Sequence, residues 1–145
     1  MAKPDPQTYS NHIRYDPLFH YFLLPVAAIT IGVCVYNAIR HANIVSVWMV
    51  VVSLAFAVLV VKARTYALKA QDRVIRLEER LRLSTLLDEP WRARIAELTE
   101  GQLIALRFAP DEEVPALVQK TLASTLAPGA IKKEIRNWRP DYFRI

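Results

Sequence analysis

A chain of 145 residues, 53% hydrophobic and 23% charged with a net charge of +5, has room for one modest domain or a membrane segment with a small soluble part. Three glycines and a single cysteine, Cys34, argue against a Gly-rich nucleotide cradle and exclude an intrachain disulfide or a cysteine-based metal cage. The charge is segregated: residues 18–61 hold one formal charge, Arg40, which points to a membrane protein rather than a globular domain with an oily core.

Residues 1–17 are polar with interspersed aromatics and read as an N-terminal cytoplasmic or interfacial segment. No small-residue cleavage site follows the next apolar run, so that run reads as a permanent anchor rather than a secretory signal. Leu18 to Ile39 contains no Asp, Glu, Lys or Arg; as a helix it would cover about 33 Å, enough for a bilayer core. Pro25 should kink it. Ile44 to Val61 is a second uncharged run, rich in Val, where a bilayer's demand for internally satisfied backbone groups selects helix over strand. Only Arg40 to Asn43 separates the two, which fits a transmembrane hairpin over 18–61 with Asn43 as N-cap of the second helix. Ser46 and Ser53 can bond back to their own helix, and Ala28–Gly32 and Ser53–Ala57 are spaced to let helix backbones approach. Cys34 reads as a small packing residue. Lys3, Arg14, Lys62, Arg64 and Lys69 flank the outer ends, against Arg40 alone in the link. The positive-inside rule then puts both termini in the cytoplasm. Tyr15, Phe19, Tyr21 and Tyr66 suit the inner interface, Tyr36 and Trp48 the outer one.

No helix breaker stands between Ile44 and Leu87, so the second span should continue through a cytoplasmic extension, 62–87, as one helix roughly 60 Å long. Along it Val60, Ala63, Ala67, Ala70, Val74, Leu77 and Leu81 alternate spacings of three and four, the pattern of a heptad seam. Asp72–Arg76 and Glu78–Arg82 are spaced to pair on its surface. The seam could form a parallel homodimeric coiled coil or pack against the chain's own later helices. Three consecutive alanines in it favour the second reading.

Residues 88–145 read as a small all-helical domain with a basic, aromatic tail. Asp88 and Pro90 introduce a helix from Trp91 towards Leu98. Thr99-Glu100-Gly101-Gln102 has capping-box form and opens a helix to Phe108. Asp111 should cap a third helix that carries Val114, Leu117, Val118 and Leu122. After the turn Ala127-Pro128-Gly129, a last helix from Ala130 to Trp138 stops before Pro140. No strand is expected, so the fold class is all-α. Net charge is +4 over 62–87, −4 over 88–113 and +4 from Val114 onward, so the acidic middle should fold against the basic long helix or the basic tail.

Chemistry is sparse. Phosphate loops and metalloprotease, hydrolase and zinc-ribbon spacings are absent, no ionisable residue lies deep in a span, and neither enzyme, transporter nor cofactor is expected. His12 and His20 are eight apart; His20, near a span's start, is a candidate haem or pigment ligand, against its ordinary reading as an interfacial histidine. The tail from Ile131 to Ile145 mixes cations with Trp138, Tyr142 and Phe143. It could dock on lipid headgroups or a partner, or anchor onto its own domain. Nucleic acid is disfavoured, since Asp111-Glu112-Glu113 would repel phosphates from a helix-turn-helix there. The expectation is a non-enzymatic accessory or scaffolding subunit of a larger membrane assembly. Its contacts would be made by Arg73, Arg76, Arg80, Arg82, Trp138, Arg139, Tyr142 and Phe143, with membrane lipid and other membrane-protein subunits as partners. A homodimeric signal-relay or membrane-organising module is the alternative.

Several segments carry a resemblance: Tyr9-Ser10-Asn11-His12, Pro17-Leu18-Phe19-His20, Gln71 to Leu83, Gln102 to Ala109, and Trp138-Arg139-Pro140-Asp141-Tyr142. Together they resemble a bacterial family of small two-span membrane proteins known only as a domain of unknown function. The resemblance implies a bacterial inner-membrane location and carries no activity, ligand or site residue with it.

Overall fold

The computed structural model describes residues 7–11 and 15–141. Every regular element among them is helical: α1 (Leu24–Arg40), α2 (Ile44–Leu86), α3 (Glu100–Leu106), α4 (Val114–Ser124) and α5 (Pro128–Glu134), with a π-helical turn at Phe19–Leu23 and a 3₁₀ turn at Arg92–Glu97. The chain is therefore all-α, with two long apolar helices. Two compact units divide the described residues, 15–69 and 7–11 with 70–141, so α2 contributes to both.

In the first unit, the disturbance expected of Pro25 takes the form of the π-helical turn. Leu24 N–H donates to the Phe19 carbonyl five residues back, and Pro25 stands within the first two positions of α1. A proline offers no donor and its ring crowds the carbonyl four residues back; a widened preceding turn accommodates both. Asn43 caps α2 as expected: its Oδ1 accepts from Ser46 N–H at 2.9 Å, and its own N–H donates to Ser46 Oγ at 3.2 Å. Ser46 Oγ in turn donates to the His41 carbonyl at 2.6 Å, so this serine closes the link, while Ser53 Oγ bonds back to Val50 O at 2.8 Å.

Burial marks one stripe on each helix of this unit. On α1 it runs through Leu24, Ala27, Ile31, Cys34 and Ala38, on α2 through Ser46, Val50, Ser53, Ala57 and Val60. Ser53 and Ala57 lie on the covered stripe of α2. Ala28 and Gly32 lie off that of α1: Ala28 is exposed, and a Cβ at Gly32 would meet nothing within 4 Å. At the far end from the link, Arg64 pairs with Asp16 at 3.5 Å and lies 5.7 Å over the Phe19 ring. Beside them is an apolar groove of about 310 Å³ lined by Leu18, Phe19, Leu23, Leu59, Val60 and Ala63. Phe19–Arg40 and Ile44–Leu86 are long and apolar enough to cross a membrane by length and composition, and only 6% and 11% of their apolar windows are buried.

In the second unit, Leu83 and Leu87 form one core with Ile95, Leu98, Leu103, Leu106, Phe108, Val114, Val118, Ile131 and Ile135. The Thr99–Gln102 capping box forms in both directions, and Gln102 also reaches the Leu126 carbonyl at 2.9 Å. Gly101 is where α3 meets the start of α5, since a Cβ there would stand 2.9 Å from Pro128 Cγ.

Three expectations are corrected in this unit. The segment after Pro90 forms a 3₁₀ turn, because Leu98 must turn extended to feed the cap at Thr99. Asp111 does not cap α4: Glu113 holds the N-cap position without a side-chain cap, and Asp111 bonds Arg82 instead, at 2.7 Å. The last helix ends at Glu134 rather than Trp138. Ile135 turns extended into the core, and the Glu113 carboxylate receives the Arg136 and Asn137 backbone N–H groups at 3.0 Å each. The acidic middle does dock on both basic segments, through Arg76–Glu100, Arg82–Asp111 and these Glu113 bonds.

Candidate functional site

From Ala70 to Leu86, α2 has two apolar faces. Ile75, Leu83 and Leu86 face the core, with Glu79 and Arg82 between them. Val74, Leu77 and Leu81 stand 55%, 62% and 61% exposed. In heptad terms the seam residues hold positions a and d, and the covered residues hold b, c and f, on the opposite side of the helix. The expectation that the seam packs against the chain's own later helices is thus corrected. Those helices cover the other face, and Val60, the seam's first member, lines the groove beside α1.

The four arginines divide the same way. Arg76 bonds Glu100. Arg82 bonds Glu79 at 3.1 Å, Asp111 at 2.7 Å and the Ala109 carbonyl at 2.7 Å. The surface pairs expected between Asp72 and Arg76 and between Glu78 and Arg82 do not form, because both arginines turn to the domain. Arg73, Glu78 and Arg80 are exposed and make no ion pair among the described residues.

Glu79 went unnoticed in the sequence, and only 6% of its side chain is exposed. Burial raises its carboxyl above the ordinary value of 4.5, against the attraction of Arg82 and, more weakly, of Arg139 at 4.0 Å and Arg107. Its i+3 spacing to Arg82 and i−4 spacing to Ile75 were the available signal.

The tail is anchored on its own domain up to its described end. The Trp138 and Phe108 rings lie 4.9 Å apart, Arg139 N–H donates to the Phe108 carbonyl at 2.7 Å, and Arg107 pairs with Asp141 at 3.4 Å. Arg107 and Lys132 both lie over Phe108. Gln7 exchanges two hydrogen bonds with the Asp141 backbone. Arg139 keeps its guanidinium half in solvent; Tyr142 and Phe143 lie outside the described residues.

His20 Nδ1 sits 2.8 Å from the Asp16 carbonyl, with Tyr15 and Phe19 edge-on to its ring. As donor in that bond, Nδ1 leaves Nε2 as the nitrogen a metal could use. No group of three His, Cys, Asp or Glu suited to a metal occurs among the described residues, and His12 lies outside them.

No curated protein and no solved structure matches this chain. A family model does, over residues 1–145, and the chain belongs to that family of unknown function, DUF6526.

Proposed function

We propose that this protein is a non-enzymatic membrane-anchored scaffold, an accessory subunit whose long helix offers a contact surface at the cytoplasmic face of a bacterial inner membrane. The carrying observation is the uncovered face of α2, where Arg73, Val74, Leu77, Arg80 and Leu81 are exposed although a core is built on the helix's other side. Apolar side chains that a domain leaves in solvent in a row are the signature of an interaction surface.

Anchoring rests on the first unit. Ile29, Val33, Ile39, Ile44 and Val45 are 61–86% exposed, a surface that water would penalise and a bilayer would accept. Tyr36 and Trp48 flank the link and Tyr15, Tyr21 and Tyr66 the other end, all exposed, as interfacial belts require. Lys62, Arg64 and Lys69 then favour a cytoplasmic location for the second unit.

A photoreactive residue placed at Leu77, tested in native membranes, should capture a protein, and one at exposed Ser124 should capture none. Absence of any protein adduct at Leu77 would overturn the contact-surface reading.

A further inference from the structure

We propose that the uncovered face of α2 docks on the same face of a second copy of this chain, as a short parallel two-stranded coiled coil. This rests on reading that face as a contact surface, and commits it to one occupant.

The spacing from Ala70 to Val74, Leu77 and Leu81 is four, three, four, which sets Val74 and Leu81 at position a and Ala70 and Leu77 at d. A β-branched residue at a followed by leucine at d is the combination that favours two strands over three or four. Both faces needed for such packing are open, and no later helix of the chain competes for them among the described residues.

Charge selects the direction. Arg73 and Arg80 occupy the g positions and Glu78 an e position. In a parallel pair, a g residue meets the e residue five places further along the partner helix. Arg73 therefore meets Glu78 of the second copy, and the twofold axis gives this pair twice. In an antiparallel pair, g faces g and the arginines confront one another. Arg73 and Glu78 make no ion pair among the described residues, unlike Arg76 and Arg82 behind them. Copies inserted alike in one bilayer already lie parallel, and confinement to the membrane raises their effective concentration. A seam with three large apolar residues, too weak for a zipper in free solution, suffices under those conditions.

The test uses the full-length chain in membranes, in a Cys34→Ser background. Leu77→Cys should form an oxidised dimer linked through position 77 of both copies, while Ser124→Cys should not. Adding Arg73→Glu sets glutamate against Glu78 and should cut the crosslinked fraction by about tenfold. Adding Glu78→Arg as well reverses both charges and should restore it. Because all these positions are exposed, the second unit folds in every variant. Crosslinking that ignores Arg73→Glu, or is not rescued by the double reversal, would overturn the parallel pairing. A Leu77→Cys adduct with a different protein would overturn the second copy while leaving the contact surface in place. No adduct of either kind would overturn both.

Discussion

Removing one leucine from each face of α2 separates the helix's two roles. Leu83 is fully buried in the core of the second unit, and Leu77, six residues earlier, is 62% exposed. Leu83→Ala deletes three carbons, about 2.4 kcal/mol of transfer free energy, to which the unfilled cavity adds; a loss of roughly 3 kcal/mol is expected. Leu77→Ala removes a side chain largely in solvent already, and within one chain should cost under about 0.5 kcal/mol. Amide hydrogen exchange over residues 95–131, on dilute detergent-solubilised monomer, reads the second unit without reporting on the spans. Protection should fall by about two orders of magnitude in Leu83→Ala and stay within a few-fold in Leu77→Ala. Equal losses in the two variants would refute the assignment of faces.

Gly101→Ala should destabilise the second unit by about 1–2 kcal/mol, because the new methyl meets the stiff Pro128 ring at 2.9 Å and the helical gain of alanine is smaller; thermal unfolding followed by tryptophan fluorescence would show it. Thr125 closes α4 with φ 48°, where a β-branched residue is strained, and Thr125→Gly should raise the same midpoint by a gain of about 1 kcal/mol. A raised carboxyl pKa means the folded state binds the Glu79 proton more tightly than the unfolded chain does. The cost of the ionised form is therefore present above the folded pKa and is lifted as pH falls through it towards 4.5. Glu79→Gln removes that cost and leaves Arg82 its bonds to Asp111 and Ala109. The variant should equal or exceed the parent in stability at neutral pH, with any advantage vanishing by pH 4.5; denaturant titrations at a series of pH values would check this.

Features written in neighbouring residues were legible from sequence. The Thr99–Gln102 capping box and the Asn43 cap need only three residues' spacing, and the length of α2 follows from the absence of any breaker. What depended on distant partners was not. Two apolar stripes run along α2, and periodicity alone favours the one without interruption, Ala70-Val74-Leu77-Leu81. The stripe that is covered is broken by Glu79 and Arg82; Glu79 pairs with Arg82, and Arg82 also bonds Asp111 and the Ala109 carbonyl, about thirty residues away. The early end of α5 has the same origin, since Ile135 is drawn to a core assembled by other helices and Glu113 receives the freed backbone donors. The tail's mixture of cations and aromatics suited lipid, a partner or the chain itself, and only the position of Phe108 shows where Trp138 goes.

The proposed double crossing of a bilayer, with the helical unit on the cytoplasmic side, is tested most directly by thiol labelling with a membrane-impermeant reagent, using Ala42→Cys and Thr125→Cys separately in a Cys34→Ser background. Cells stripped of their outer envelope should label Ala42→Cys at once and Thr125→Cys only after permeabilisation. Labelling of Thr125→Cys in sealed cells, or protection of Ala42→Cys until the membrane is opened, would contradict the account.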